Sequence, residues 1–487
     1  MSQPEREIRT ILVAGAGLTG LSAALAFARA LPRTKVTLLA LPAGVSAVAD
    51  RLVPVLPPTG RLHSLLGIDE LAPVRDGIAA HQIATRFTGW AEDGADWYHS
   101  YGDYGLPHGA SPFHQLWVRA RTAGRALPYH CYSAACALAE ADKFVHPSPD
   151  PQSSLSTYSY ALRLDPNSYR QLLLDQANGS RIASVRGEPA AVERHADASI
   201  KELVLKDGRR LEADLYLDCT GPESLLFAGT DDDFESWHEF MPSHSVAIAE
   251  AEPESLSPVD RVAAIKDGWN ATQTLPTRTV RTAVLATGGS TKNGAFAIRV
   301  GARRSPWTRN VLAIGDSAAV LDPLYSLNLY LAHSAILRAL DLLPGRDFHP
   351  VELAEYNRRT EQEVTRVRDF IALHYVRSGR TDGIWQKAGR ARLPDTLAHT
   401  LQQFEARGRL PFYEEETFDR HSWTAAMFGL GIIPRACDAV AEGVAMDQLE
   451  AALDRLAKRL AALPQSLPDY PSYLQHMLSA GSKAARR

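Results

Sequence analysis

The hydrophobic pattern near the start of the chain changes period twice within thirty residues. Ile11-Leu12-Val13 is a short apolar, β-branched run, Leu21 to Leu31 repeats apolar positions at helical spacing, and Val36-Thr37-Leu38-Leu39 is strand-like again. Between the first run and the helix stands Gly15-Ala16-Gly17-Leu18-Thr19-Gly20. In a strand–turn–helix context this spacing has a physical meaning. Gly15 permits a tight turn, Gly17 lets a pyrophosphate approach the backbone, and Gly20 lets helix and strand pack closely. The free N–H groups at the helix start, those of Leu18 and Thr19, face the phosphates together with the positive helix end. The pattern predicts a dinucleotide-binding βαβ unit; the competing reading is a glycine-rich turn without a ligand. One part of the fingerprint is missing, because the second strand ends in Ala40 where such units carry an Asp or Glu for the ribose hydroxyls.

The later pattern predicts an α/β core followed by helices. Residues 53–59 are Pro-rich and predict an extended loop. Alternation predicts a strand over 83–90; a helix is read over 133–144, strand-like structure over 153–164, and a helix over 166–176 with Pro166 in its first turn. Residues 184–204 predict a β-meander whose hairpin turn is Asp207-Gly208. Buried strands are predicted at 215–221 and 310–316, two more between 280 and 300, a helix over 327–343, and almost wholly helical structure from Val351 onward.

Composition narrows the partners. The chain has 487 residues, enough for one large core or several smaller ones, and a net charge of −4 that offers no cation excess to nucleic acid. Lys483, Arg486 and Arg487 read as a solvated tail. The four cysteines show no paired spacing, so no metal site is expected and reduced thiols in a cytoplasm fit best. No apolar run reaches 18 residues and residues 1–7 are polar, so neither a membrane span nor a signal segment is expected. A homodimer is left open.

Ordered motifs extend well beyond the glycine turn. Arg368-Asp369-Phe370-Ile371-Ala372-Leu373-His374-Tyr375, followed by Arg380, Asp382 and Trp385, is the most specific. Leu66-Gly67-Ile68-Asp69-Glu70, Arg86-Phe87-Thr88-Gly89-Trp90, Tyr98-His99, Leu217-Asp218-Cys219-Thr220-Gly221, and Trp423 with Gly429, Gly431 and Pro434 accompany it in order. By these blocks the chain resembles the flavin-dependent tryptophan halogenases, within the FAD monooxygenases. The resemblance implies a Rossmann-like, three-layer FAD-binding core of the flavin monooxygenase type. In it, residues 1–345 form the core with a substrate-side sheet inserted at about 75–205, and 346–487 form a mainly helical region. It also implies FAD as cofactor, reduced by a separate reductase, and an aromatic or apolar small-molecule substrate.

Family membership leaves the chemistry to be checked residue by residue. Members of the family oxidise halide with reduced FAD and oxygen, and a lysine relays the hypohalous species to an aromatic ring. Counting back from Arg86-Phe87, that lysine position is Gln82, whose amide is neither amine nor acid. His81 beside it points to the opposite strand face. Asp322-Pro323-Leu324 matches the flavin and halide loop, but the family's catalytic Glu is Tyr325 here and its Thr is Leu327. Gly315-Asp316 and Leu327-Asn328-Leu329 look instead like the loop of aromatic-ring hydroxylases, whose Asp bonds the flavin side chain; a helix N-cap is the other reading of Asp316. The family's Trp-x-Trp-x-Ile-Pro signature is broken around Trp269, and its Gly-Glu-Ala-Thr-Ile-Pro stretch reads Leu52 to Pro57. His99 is a candidate substrate-facing residue, with simple packing as the alternative.

These substitutions imply an FAD-dependent monooxygenase-type oxidoreductase without ordinary halogenation. A catalytically silent paralogue acting as a binding subunit is the alternative, and a halogenase with an unusual site is a third reading.

Overall fold

The computed structural model describes residues 7–484, apart from 59, 70, 92–93, 228–232 and 287–293. Residues 1–6, Thr59, Glu70, Arg486 and Arg487, and part of the 280–300 strand region, lie outside the described residues. The chain forms two compact units. The first comprises Met1–Ile78, Arg163–Ile248 and Val284–Thr365; the second comprises Ala79–Leu162, Ala249–Ala283 and Arg366–Arg487.

The first unit is built on the predicted βαβ. Strand β1 (Thr10–Ala14) leads into helix α1 (Leu18–Ala30) and strand β2 (Lys35–Leu39), and a one-turn helix α2 (Val48–Arg51) follows. Strands β3 (Ala183–Val185), β4 (Leu215–Asp218), β5 (Trp307–Thr308) and β6 (Val311–Ala313) complete a six-stranded sheet in the order β5-β6-β4-β1-β2-β3. β1 lies parallel between β4 and β2, with Ile11 opposite Leu215 on one side and Val36 on the other. A strand covered on both faces needs a continuous apolar run, which is why Ile11 to Val13 shows no alternation. α1 is buried from Leu18 to Ala28, and its alanines allow close packing. Helix α3 (Asn328–Asp341) starts directly after the second predicted loop.

The expected meander divides. Ala183–Val185 pairs in parallel with β2 through Thr37, Leu38 and Leu39. Only Pro189–Arg194, Ile200–Leu205 and Arg210–Leu211 form the antiparallel sheet around the turn at Asp207-Gly208. The Pro-rich segment likewise contains a short strand, Val55–Leu56.

In the second unit, Gly268–Thr274, Val259–Ile265, Ala84–Thr88 and Trp97–Ser100 are successive neighbours in one sheet. Phe87 stacks on Trp97 at 4.3 Å, and Trp90 meets Trp385 edge-on at 4.9 Å. The Arg368–Tyr375 block packs inside this aromatic cluster. The His374 Nδ1–H donates to the Phe370 carbonyl at 2.8 Å, as scaffold, and burial pushes its ring down to about 3. Trp269 lies within a strand and its indole N–H donates to the Tyr375 hydroxyl at 2.7 Å. Among the described residues no helix is long and apolar enough to cross a membrane.

Candidate functional site

The glycine turn of the first unit has the backbone its sequence predicts. Gly15 has φ +109°, and a Cβ there would strike the Cys219 carbonyl; a Cβ on Gly20 would strike the Gly15 carbonyl. Thr19 reaches toward the second predicted loop, since a Cβ on Gly315 (φ +67°) would meet its side chain. The two halves of the predicted cofactor site are therefore adjacent within this unit.

Helix α1 begins at Leu18 without a side-chain cap from Gly17. Its first N–H donates instead to the carboxylate of Asp50, brought in by α2 from 32 residues further along. A Cβ on Gly17 would meet the same carboxylate. Burial pushes the Asp50 carboxyl up, while the Leu18 N–H and the charge of Arg170 work against that shift. Arg170 itself donates to the Ala16 carbonyl at 3.0 and 3.2 Å.

Asp316 stands beside α2. Its Oδ2 accepts the Ala49 N–H at 3.0 Å, and its Oδ1 is buried with no hydrogen-bond partner among the described residues. Burial, opposed by the backbone N–H groups of Ala49 and Val48 and reinforced by the charges of Asp50 and Glu223, pushes its carboxyl up to about 7. Asp322, in the matching Asp-Pro-Leu run, caps the turn Pro323–Tyr325 by accepting the Leu324 N–H at 3.0 Å. Asn328 Oδ1 accepts the Leu321 N–H at 3.0 Å and closes that loop, with Leu327 at the N-cap of α3. Tyr325 is buried in the same turn. Ala40 uses only its backbone N–H, donated to Val185, but Ser46 just beyond it donates to Glu223 at 3.1 Å.

The bare glycine backbone, the α1 N-terminus and the orphaned Asp316 oxygen fit FAD. One group does not: the Asp50 carboxylate holds the amide on which a phosphate would sit.

In the second unit Gln82 is 2% exposed. Its Oε1 accepts the Tyr101 hydroxyl at 2.9 Å, and its amide nitrogen donates to Thr85 Oγ1 at 3.4 Å. Thr85 is the register partner of His99, whose ring lies 5.9 Å from that of Tyr101. Burial pushes His99 down to about 4, so the ring is neutral. The structure thus brings Gln82 and His99 together with Thr85 and Tyr101, two residues that the sequence reading missed. The pairing of Ala84–Thr88 with Trp97–Ser100 decides that neighbourhood, and no local motif marks it. His81 faces the other way: its backbone N–H lies 2.8 Å from the Tyr470 hydroxyl, its Nδ1 2.9 Å from the same group, and its ring stacks on Phe144. A separate cavity of about 680 Å³ is walled by Trp97, Tyr98, Tyr104, Trp117, Tyr129 and Phe428, among others, and neither Gln82 nor His99 lines it.

A mostly parallel sheet carrying the glycine turn, with an Asp-bearing second loop beside it, is the arrangement of an α/β protein of the dinucleotide-binding class. The profile of the tryptophan halogenase family matches residues 10–446, and the chain belongs to that family. It is 24% identical to tryptophan 7-halogenase RebH of Lentzea aerocolonigenes, over 88% of this chain and 91% of that protein. Among solved structures, BrvH, a flavin-dependent halogenase from Brevundimonas sp. BAL3, superposes with a TM-score of 0.88 at 29% identity, covering 96% of this chain and 99% of BrvH. Xcc4156, a flavin-dependent halogenase from Xanthomonas campestris, does so with a TM-score of 0.88 at 27% identity, covering 97% and 98% of the two chains. The α/β flavin-type fold is shared with these structures, and the family implies FAD.

Proposed function

We propose that this chain is an FAD-dependent oxygenase of the tryptophan halogenase family that transfers oxygen to an aromatic or apolar small molecule and performs no lysine-relayed halogenation. The observation that carries this reading is the state of Gln82. A neutral amide whose oxygen accepts from Tyr101 and whose nitrogen donates to Thr85 supplies neither an amine nor a proton near neutral pH. The neighbouring His99 is neutral, and His81 is committed to Tyr470. Nothing in this cluster replaces the relay amine.

Gly15, Gly17, Leu18, Thr19 and Gly20 would hold the dinucleotide, and Gly315, Asp316, Pro323, Leu327 and Asn328 would hold the flavin end. Reduced FAD supplies the two electrons with which one atom of O2 enters the substrate while the other leaves as water. The sequence carries no signal for a nicotinamide site, so the reading includes a separate reductase. A cytoplasmic setting belongs to the same proposal.

The test supplies reduced FAD and ¹⁸O2 with a panel of indoles and phenols in the presence of chloride or bromide. A product carrying one ¹⁸O supports the reading. A halogenated product overturns it, and so does hydrogen peroxide alone across the panel. A second reading, a non-catalytic binding subunit, draws on the Asp50–Leu18 contact; failure of the protein to bind either oxidised or reduced FAD would favour it.

A further inference from the structure

The start of a helix leaves N–H groups without intrahelical partners and attracts anions. In a Gly-x-Gly-x-x-Gly unit that anion is the cofactor's pyrophosphate. Here the chain delivers its own anion to the same place. The Asp50 carboxylate accepts the Leu18 N–H and lies against Gly17, where a single Cβ would collide with it.

A second contact shows that this is a docked arrangement rather than one stray side chain. The residue before Asp50, Ala49, gives its backbone N–H to Asp316, so α2 is tied at once to both halves of the predicted cofactor site. The other Asp316 oxygen stays buried without a partner among the described residues. α2 is a single helical turn, Val48–Arg51, with Val48 and Ala49 buried, and it follows a loop with an exposed Val45.

We infer that Asp50 is a built-in competitor for the pyrophosphate seat of FAD, so that the cofactor enters only as the carboxylate leaves the Leu18 amide. The inference rests on the FAD reading given above. Two anions cannot share one helix-end amide: their repulsion at contact distance outweighs what either gains from the N–H. Asp50 thereby sets cofactor affinity without touching a substrate. Arg170, bonded to the Ala16 carbonyl and favouring the Asp50 carboxylate, keeps a positive charge beside the seat when the carboxylate departs.

The test compares wild type, D50N and D50A in two titrations, one with FAD followed by flavin fluorescence and one with inorganic pyrophosphate followed by the shift in Tm. Asn keeps an oxygen that can accept from Leu18 and so preserves the turn, while Ala empties the seat. The expected result is binding tightened at least about tenfold in either variant for both probes, as expected for removing a like charge at close range. Tighter pyrophosphate binding with no FAD binding in any protein would keep the competitor and sink the FAD reading. Unchanged or weaker binding of both probes in both variants would overturn the competitor, and measurable FAD binding by wild type would then leave the FAD reading intact.

Discussion

The Tyr101 hydroxyl donates to Gln82 Oε1 at 2.9 Å, and this bond fixes the amide that we propose stands at the family's lysine position. Gln82 is thus fixed in place by its neighbours, bonded to both Tyr101 and Thr85. The same contact says what a lysine would meet there: a hydroxyl and a threonine, with no carboxylate among the partners that bond Gln82.

Q82K is therefore expected to lower stability by about 2–4 kcal/mol, because it buries an ammonium with only neutral partners. It is also expected to yield no halogenated product, since the proposed reading puts Tyr325 where the family carries its Glu. Urea denaturation and mass spectrometry of reaction mixtures check the two halves. Restored halogenation by this one change would show that Gln82 alone silences the chemistry.

Y101F leaves the Gln82 oxygen buried without its hydroxyl donor. The expected cost is about 1–2 kcal/mol, with no loss of FAD binding, because Tyr101 belongs to the second unit. A thermal melt with a parallel FAD titration would separate these effects.

G20A places a methyl against the Gly15 carbonyl, with no flexible side chain there to yield. Backbone must shift, so we expect a loss of roughly 2–3 kcal/mol together with loss of FAD binding. A variant that binds FAD with wild-type affinity would show that the loop is not the dinucleotide site.

Arg366, 2% exposed, donates to Glu416 at 2.9 Å and to Thr400 at 3.2 Å and lies over the rings of Tyr413 and Trp423. R366M leaves the Glu416 carboxylate without its guanidinium partner, while Asp369 keeps Arg368 at 2.8 Å, and should cost about 3–5 kcal/mol. R366K keeps the charge but loses the planar fork, and should fall between wild type and R366M in chemical denaturation.

Asp316 gives a pH signature of known sign. Its carboxyl is raised in the fold from 3.8 to about 7, so the native state holds the proton longer than the unfolded chain does. Stability from this group is complete below about pH 4 and is lost as pH rises through 7. Buried histidines such as His99, lowered to about 4, act with the opposite slope below pH 6.5, so the informative quantity is the difference between D316N and wild type. D316N is expected to gain on wild type between pH 5 and pH 8 in urea melts without cofactor. A pH-independent difference would mean that Asp316 titrates normally.

Much of the fold and part of the site are legible along the chain, for local reasons. The unbroken apolar run of β1 reports burial on both faces, and Gly15 marks a backbone angle that side chains disfavour. Asp165 ahead of Pro166 starts a helix by accepting the Ser168 N–H. Each of these signals lies within a few residues of its effect, and together with the ordered Arg368–Tyr375 block they determine the flavin-type core and the family. The three-dimensional arrangement decided the rest. The meander read from Ser184 loses its first strand, because Ala183–Val185 pairs with β2 and edge pairing depends on which strand the chain returns to. Tyr101 meets Gln82 only through the pairing of two strands, and Asp50 reaches Leu18 only because α2 folds back across 32 residues. Local spacing specifies strands, turns and helix starts, whereas the partner of a buried polar group is chosen by long-range packing, which a single sequence does not display.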